Sequence, residues 1–345
     1  MTIEISLKKT VDDSYPIELG PIGRIAHNNK VAVVTNPTVS ALHLQALLSR
    51  IDAPEVSVVT VPDGEQHKTM QTLQMILEHL FEHRFDRKSL LVAFGGGVIG
   101  DMTGFAASIY QRGIGFVQVP TTLLSMVDAS VGGKTGVNNR YGKNLIGSFH
   151  QPRAVHIDPA WLQTLPKREW SAGVAEMVKM AATLDRGFFE WLEQSDLRNP
   201  AQLQEAIAKS VQLKADVVAQ DEKETGLRQV LNYGHTFGHV IERETRYETY
   251  LHGECVAMGM VMANNLAVEL GLLSVADADR VRRVLARYEL PLSYPVADPA
   301  AFYDAFFLDK KTSRGKITFV LPKGIGGYAL VDDAPQASVL KAVKG

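Results

Sequence analysis

Short apolar runs alternate with stretches of helical spacing through the first half of this chain, and that alternation restricts the fold more than any other feature. The runs are Lys30–Thr35, Glu55–Val61, Ser89–Phe94 and Gly115–Pro120. Each has the length of a strand and is bounded by turn residues. Ser40–Arg50 and Thr69–His83 lie between them, with apolar residues at helical spacing and a capping candidate at the start. Strand, helix, strand in repetition predicts a parallel sheet covered on both faces. After Trp161 the pattern becomes helix upon helix: Ser171–Leu192, Asn199–Gln220, Gln229–Thr245, Gly253–Leu270 and Ser274–Tyr288. The expectation is an α/β sheet domain over residues 1–160 followed by a mainly α-helical domain over residues 161–345. No internal repeat or low-complexity linker interrupts the chain.

With 345 residues and 46% hydrophobic content, the chain is long enough for two cores. Its 36 basic and 38 acidic residues leave a net charge of -2, so no global field favours nucleic acid or an anionic membrane. Any anion must therefore be bound locally. Cys255 is the only cysteine, which excludes an intrachain disulfide and all-thiolate zinc clusters and fits a reducing compartment. Met1–Thr10 alternates like a strand and lacks the apolar centre of a signal peptide, and no run of about 18 apolar residues occurs. The chain reads as soluble and cytoplasmic.

Gly95-Gly96-Gly97-Val98-Ile99-Gly100-Asp101 follows an apolar strand and leads to a helix expected from Met102. Glycines let the backbone approach a ligand, and a helix N-terminus offers free N–H groups to a pyrophosphate. The spacing departs from G-x-G-x-x-G, so a tight turn with close helix–strand packing is the competing reading. In Pro62–Lys68, Glu65 and Lys68 supply an acceptor and a donor suited to a ribose or an amide, within what is otherwise a solvated loop. Lys134 and Lys143, the latter beside Asn144, sit on glycine-rich loops suited to a compact anion such as phosphate. An ATPase reading fails, because Gly132-Gly133-Lys134-Thr135 lacks the earlier glycine of a Walker A loop. Glu176 and Lys179 are three apart in an apolar helix, where a charge needs a strong partner such as a metal. His235 and His239 are four apart and share a helix face, with His252 a short loop away. Three imidazoles in one neighbourhood make a metal site the reading to test, against solvated surface histidines.

Taken in order, Gly95–Asp101, Pro120–Leu124, Asp128–Lys134, Gly142–Gly147, Gly173–Glu176, Asn232–His239 and His252–Glu254 resemble the 3-dehydroquinate synthase family across nearly the whole chain. The resemblance implies a Rossmann-like N-terminal domain, an α-helical C-terminal domain and an active site in the cleft between them. It also implies an enzyme that needs NAD and a divalent metal, Zn2+ or Co2+. The implied reaction turns 3-deoxy-D-arabino-heptulosonate 7-phosphate into 3-dehydroquinate and phosphate, in the shikimate pathway. Its steps are hydride transfer from the C5 hydroxyl to NAD, β-elimination of phosphate, hydride return, ring opening and aldol closure. Carried over residue by residue, Glu176, His235 and His252 match the metal ligands, which leaves His239 as a catalytic or phosphate-facing residue. The matching NAD-binding positions are Glu65, Lys68, Gly96, Gly97, Val98, Asp101, Thr121, Thr122, Leu124, Asp128 and Lys143. Asn36 and Thr38 stand where the family often has an acidic residue and an asparagine near the adenosine ribose. Substrate-facing positions are Asp128, Lys134, Asn144, Lys179, Lys214, Arg228, Asn232 and one of Lys310 or Lys311. Arg112 matches an arginine that reaches the phosphate site of a neighbouring subunit, which implies a homodimer.

Another sugar phosphate cyclase or a metal-dependent polyol dehydrogenase would share the nucleotide turn and the metal triad. Arg228 and Lys214 argue for a substrate carboxylate, which neutral polyols lack. A catalytically silent NAD or metal sensor would be expected to have lost a ligand or a phosphate-site lysine. Glu176, His235, His252, Lys134 and Lys143 are all present.

Overall fold

The computed structural model describes residues 12–308, 317–332 and 334–344. The strand expected in Met1–Thr10 and the pair Lys310 and Lys311 lie outside these residues.

Six strands form one wholly parallel sheet, in the order Ile17–Leu19, Val155–Ile157, Gly115–Pro120, Leu90–Gly95, Val31–Thr35, Val56–Thr60. The last four are the apolar runs read from the sequence. Val31–Thr35 and Leu90–Gly95 are buried at every residue, as strands covered on both faces must be. Ile17–Leu19 and Val155–Ile157 have only three residues each, too few to show a period.

From Val31–Thr35 the chain passes outward to Val56–Thr60 and then returns to Leu90–Gly95 on the opposite side of the first strand. Connections leaving Thr35 and Gly95 therefore diverge, and the carboxyl ends of these two strands flank a crevice of the kind in which open α/β sheets bind ligands. Asn36 and Gly96 are the first residues beyond those ends.

The helix after Leu90–Gly95 runs from Gly97 to Ile109, not from Met102, with Gly96 as its N-cap and no side-chain cap. Glycine's weak helix propensity hid that first turn. The glycine-rich stretch around Lys134 and Lys143, read as loops, is an antiparallel hairpin of Lys134–Asn139 and Gly142–Phe149. One strand of it packs on the Gly97–Ile109 helix.

In the second half, Ser171–Leu192 divides into Lys167–Leu184 and Arg186–Gln194. Asp185 makes the break by capping the second helix, its carboxylate accepting from the Phe188 N–H at 2.9 Å. Gln229–Thr245 likewise divides into a 3₁₀ turn, Leu227–Asn232, and a helix, His235–Glu244. An antiparallel pair, Thr318–Pro322 with Tyr328–Asp332, was not foreseen.

The helix His252–Glu269 is buried along most of its length and packs against both Lys167–Leu184 and His235–Glu244. The apolar cluster around it extends to Leu123, Met126, Val127, Val155 and Ile157 of the sheet half. Gly253 sits at a close crossing: a Cβ there would lie 2.0 Å from the Ala172 carbonyl oxygen. Gly253→Ala is expected to force these helices apart at a cost of about 1–3 kcal/mol, typical of an overpacked core. A urea unfolding curve that overlays wild type would contradict this crossing.

Candidate active site

Three helices that meet in this core each deliver one side chain to a common point. Glu176 comes from the middle of Lys167–Leu184, His235 from the first residue of His235–Glu244, and His252 from the first residue of His252–Glu269. Their potential ligand atoms all lie within 4.8 Å of one another. The Nε2 atoms of His235 and His252 are 3.8 and 3.7 Å from Glu176 Oε1. Glu176 is fully buried, and its Oε1 receives no hydrogen bond. On its other side the carboxylate forms an ion pair with the buried Lys179. The exposed ion pair that three-residue spacing also allowed is therefore not what forms.

Spacing alone made His235 and His239 the obvious pair. Tertiary packing groups His235 with His252 instead, and the His239 ring stands edge-on to His235 at 5.4 Å and 6.4 Å from the His252 ring. Gly234 makes the entry possible, with φ +79° and no space for a side chain, since a Cβ would lie 2.7 Å from Met260 Cγ. His235 Nδ1 donates to the Tyr233 carbonyl at 3.2 Å, which turns the Nε2 lone pair toward Glu176.

Around the triad, cationic side chains are already held by acids. Lys214 Nζ reaches Asp128 Oδ1 at 2.7 Å and the Asp128 carbonyl at 2.6 Å. Burial alone would raise the Asp128 carboxyl, but Lys214 and Lys179 outweigh it and hold the group well below the usual carboxylate range. Burial lowers Lys214, against the pull of Asp128. Lys179 is also desolvated, yet Glu176 and Asp128 raise it and keep it charged. Asp128 belongs to a π-helical turn, Ser125–Ala129, of the kind that often marks a functional bend. Lys134 pairs with Glu224, whose Oε1 also accepts from Asn232 Nδ2 at 2.8 Å. Arg228 is buried and donates to the carbonyls of Gly132 and Glu222.

Several residues matched to NAD-binding positions are joined by polar contacts. Lys68 Nζ donates to Asp101 Oδ2 and Asn144 Oδ1, both at 2.5 Å. Burial raises Asp101, and Lys68 opposes that shift. Glu65 Oε1 accepts from Asn138 Nδ2 at 2.7 Å and lies 3.9 Å from Lys143 Nζ. Lys143 reaches across to Glu242 at 3.0 Å. Thr121 Oγ1 is buried with no hydrogen-bond partner, and Thr122 Oγ1 is 2.8 Å from Ser125 Oγ. Val98 and Leu124 are partly buried near the same turn. Asn36 caps its helix through the Val39 N–H and donates to Asp63, which also accepts from Thr38. Arg112 lies apart, exposed on a left-handed turn with φ +72°.

Glu224 and Glu242 are functional candidates that the sequence reading missed. Glu242 carried a usable signal, a charge seven residues after His235 on the same helix face and next to Val240 and Ile241. Glu224 carried none, being one acid among several in a polar loop.

The chain is similar to known proteins along its whole length. Residues 58–172 match the family 3-dehydroquinate synthase N-terminal, and residues 173–312 match 3-dehydroquinate synthase C-terminal. It is 60% identical over 344 residues to the 3-dehydroquinate synthase of Sulfurovum sp. (strain NBC37-1), covering 100% of this chain and 98% of that protein. ValA, a 2-epi-5-epi-valiolone synthase from Streptomyces hygroscopicus subsp. jinggangensis 5008 with NAD+ and Zn2+ bound, has a TM-score of 0.86 at 29% identity, covering 99% of this chain and 98% of that one. A 2-deoxy-scyllo-inosose synthase complexed with carbaglucose-6-phosphate, NAD+ and Co2+ has a TM-score of 0.82 at 26% identity, covering 92% and 91%.

The loop that delivers Arg228 is organised by Asp221, whose carboxylate accepts from the N–H groups of Arg228, Thr225 and Gly226. Those donors, Arg228 first, hold the Asp221 carboxyl below its ordinary value of 3.8. A depressed folded value means the stabilisation is complete above the ordinary carboxylate range and is lost as pH falls through the folded value. At neutral pH, Asp221→Asn is expected to speed hydrogen exchange at the Thr225, Gly226 and Arg228 amides. Unchanged exchange at all three would remove Asp221 from this role.

Proposed function

This chain belongs to the 3-dehydroquinate synthase family, and we propose that it converts 3-deoxy-D-arabino-heptulosonate 7-phosphate to 3-dehydroquinate and phosphate, using NAD and Zn2+ or Co2+. The observation that carries the reading is the unpartnered Glu176 Oε1 facing two imidazole nitrogens. Bonds of about 2 Å in a tetrahedron would place the donor atoms about 3.3 Å apart. The observed 3.7 and 3.8 Å are within a few tenths of an ångström of that. One carboxylate and two imidazoles suit zinc or cobalt and leave positions open for substrate oxygens. In that place a bound divalent cation supplies Lewis acidity, lowering the pKa of neighbouring hydroxyls and polarising a carbonyl.

NAD fits the crevice on similar grounds. The Gly97–Ile109 helix opens at the switch point with no side chain capping its N–H groups, and Thr121 Oγ1 beside it is unsatisfied. Held by the Gly96–Gly97 turn and Thr121, NAD would supply reversible hydride transfer without net consumption.

The protein's own groups then have separable tasks. Lys214 and Arg228, with Lys179 and Lys134, supply positive charge for the substrate's carboxylate and phosphate and orient the ring. His239 is the candidate for moving a proton at the C5 oxygen. Because the leaving phosphate can accept the C6 proton itself, elimination needs no dedicated protein base. The reading extends to a homodimer in which Arg112 reaches the neighbouring site, and to a cytoplasmic enzyme. No helix among the described residues is long and apolar enough to cross a membrane.

Phosphate release from the heptulosonate with added Zn2+ or Co2+ tests the proposal. Substoichiometric NAD should suffice, and Glu176→Gln should abolish turnover while NAD still binds. NADH accumulating in step with substrate loss would instead indicate a dehydrogenase.

Arg228→Ala should lower kcat/KM by about 30-fold or more, the scale of a lost buried charge contact of roughly 2 kcal/mol. Wild-type kinetics in that variant would refute a carboxylate role for Arg228.

A further inference from the structure

We propose that Glu242 is a positioning residue that fixes the orientation and tautomer of His252, so that its Nε2 is free to bind a cation. The inference rests on the metal reading above and concerns a side chain to which that reading gave no role.

Glu242 lies on the inner face of His235–Glu244 and is only 2% exposed. Its Oε1 lies 3.2 Å from His252 Nδ1 and accepts from Lys143 Nζ at 3.0 Å. An ionised carboxylate can only accept, so a hydrogen bond to Nδ1 requires the proton to be on that nitrogen. The neutral ring then presents its lone pair at Nε2, the atom 3.7 Å from Glu176 Oε1. His235 is arranged in the same way, with the Tyr233 carbonyl behind Nδ1 at 3.2 Å. Both imidazoles thus have an acceptor behind them and a lone pair in front.

The two arms differ in what supplies the acceptor. His235 is held by backbone of its own segment, while His252 depends on a side chain from a neighbouring helix. Lys143 donates to the same carboxylate oxygen of Glu242. It belongs to the hairpin and stacks on the Tyr247 ring at 4.4 Å, so it keeps Glu242 in place from across the cleft. The arrangement has the form of a carboxylate–histidine–metal relay, in which loss of the outer carboxylate typically weakens metal binding about 10–100-fold.

The test loads the full-length chain with Zn2+ and challenges it with a competing chelator, reading the zinc dissociation constant directly. Glu242→Gln should weaken zinc about 10–100-fold. Lys143→Ala, which keeps the carboxylate but removes one of its supports, should weaken it less than Glu242→Gln does. Circular dichroism of the metal-free form should match wild type in both variants, which separates lost zinc affinity from lost fold. If the glutamine variant does not fold, Glu242→Asp, with the charge kept but the reach shortened, should show the same direction of change. Wild-type zinc affinity in the glutamine variant, or an equal loss in Lys143→Ala, overturns the assignment to Glu242. Failure of the wild-type chain to bind zinc overturns the metal reading itself.

Discussion

Glu176 has lost all contact with water, and an ionised carboxylate in that position costs several kcal/mol unless compensating charge surrounds it. Much of the second half of the chain is arranged to provide that compensation. Lys179 meets one side of the carboxylate from the same helix, and His235 and His252 face the other from two more helices. Those helices can bring their first residues so close only because backbone meets backbone at the crossing. Gly253 lies against Ala172 with no space for a methyl group, and Gly234 turns the chain into its helix with a positive φ. Packing and electrostatics are therefore the same constraint seen from two sides.

The same logic extends outward as a set of pre-paired charges. Lys214 with Asp128, Lys143 with Glu242, and Lys134 with Glu224 each join elements distant in sequence. Removing one member of the buried Lys214–Asp128 or Lys143–Glu242 pair leaves the other uncompensated, so these two contacts specify geometry more than they add net stability. They also keep cationic side chains oriented in the cleft before any anionic ligand arrives. On the proposed reading, a carboxylate or phosphate would replace an existing partner and would not have to order a free side chain, which lowers the entropy cost of binding.

On the sheet side the controlling fact is topological. Because the chain leaves Val31–Thr35 in one direction and re-enters at Leu90–Gly95 in the other, the ends of these strands open a crevice. Asn36, Asp63 and Thr38 form a connected polar group at one side of it, and the uncapped turn at Gly96 forms the other. The hairpin at Lys134–Phe149 links this half to the helical one through Lys143 and Glu242.

What the sequence determined by itself was the set of elements whose local signal is strong. Long apolar strands, amphipathic helices such as Thr69–His83 and the capped Asn199–Gln220 were legible because periodicity and end signals agree over many residues. Motif order carried the family and the residue types of the site. Local pattern failed where glycine or a cap competes with it: the helix start at Gly97, the hairpin hidden in a glycine-rich stretch, and the break at Asp185. Motif resemblance had pointed to His252 as the partner of His235 and Glu176, but the reason for that grouping lies in the tertiary structure. Spacing along one helix favoured His239, but a metal-sized gap depends on where three helices cross, and sequence separation carries no information about that. The helix face of Glu242 was legible in the sequence, but its partners, a hairpin lysine and a histidine on another helix, are brought within 3.2 Å only by folding.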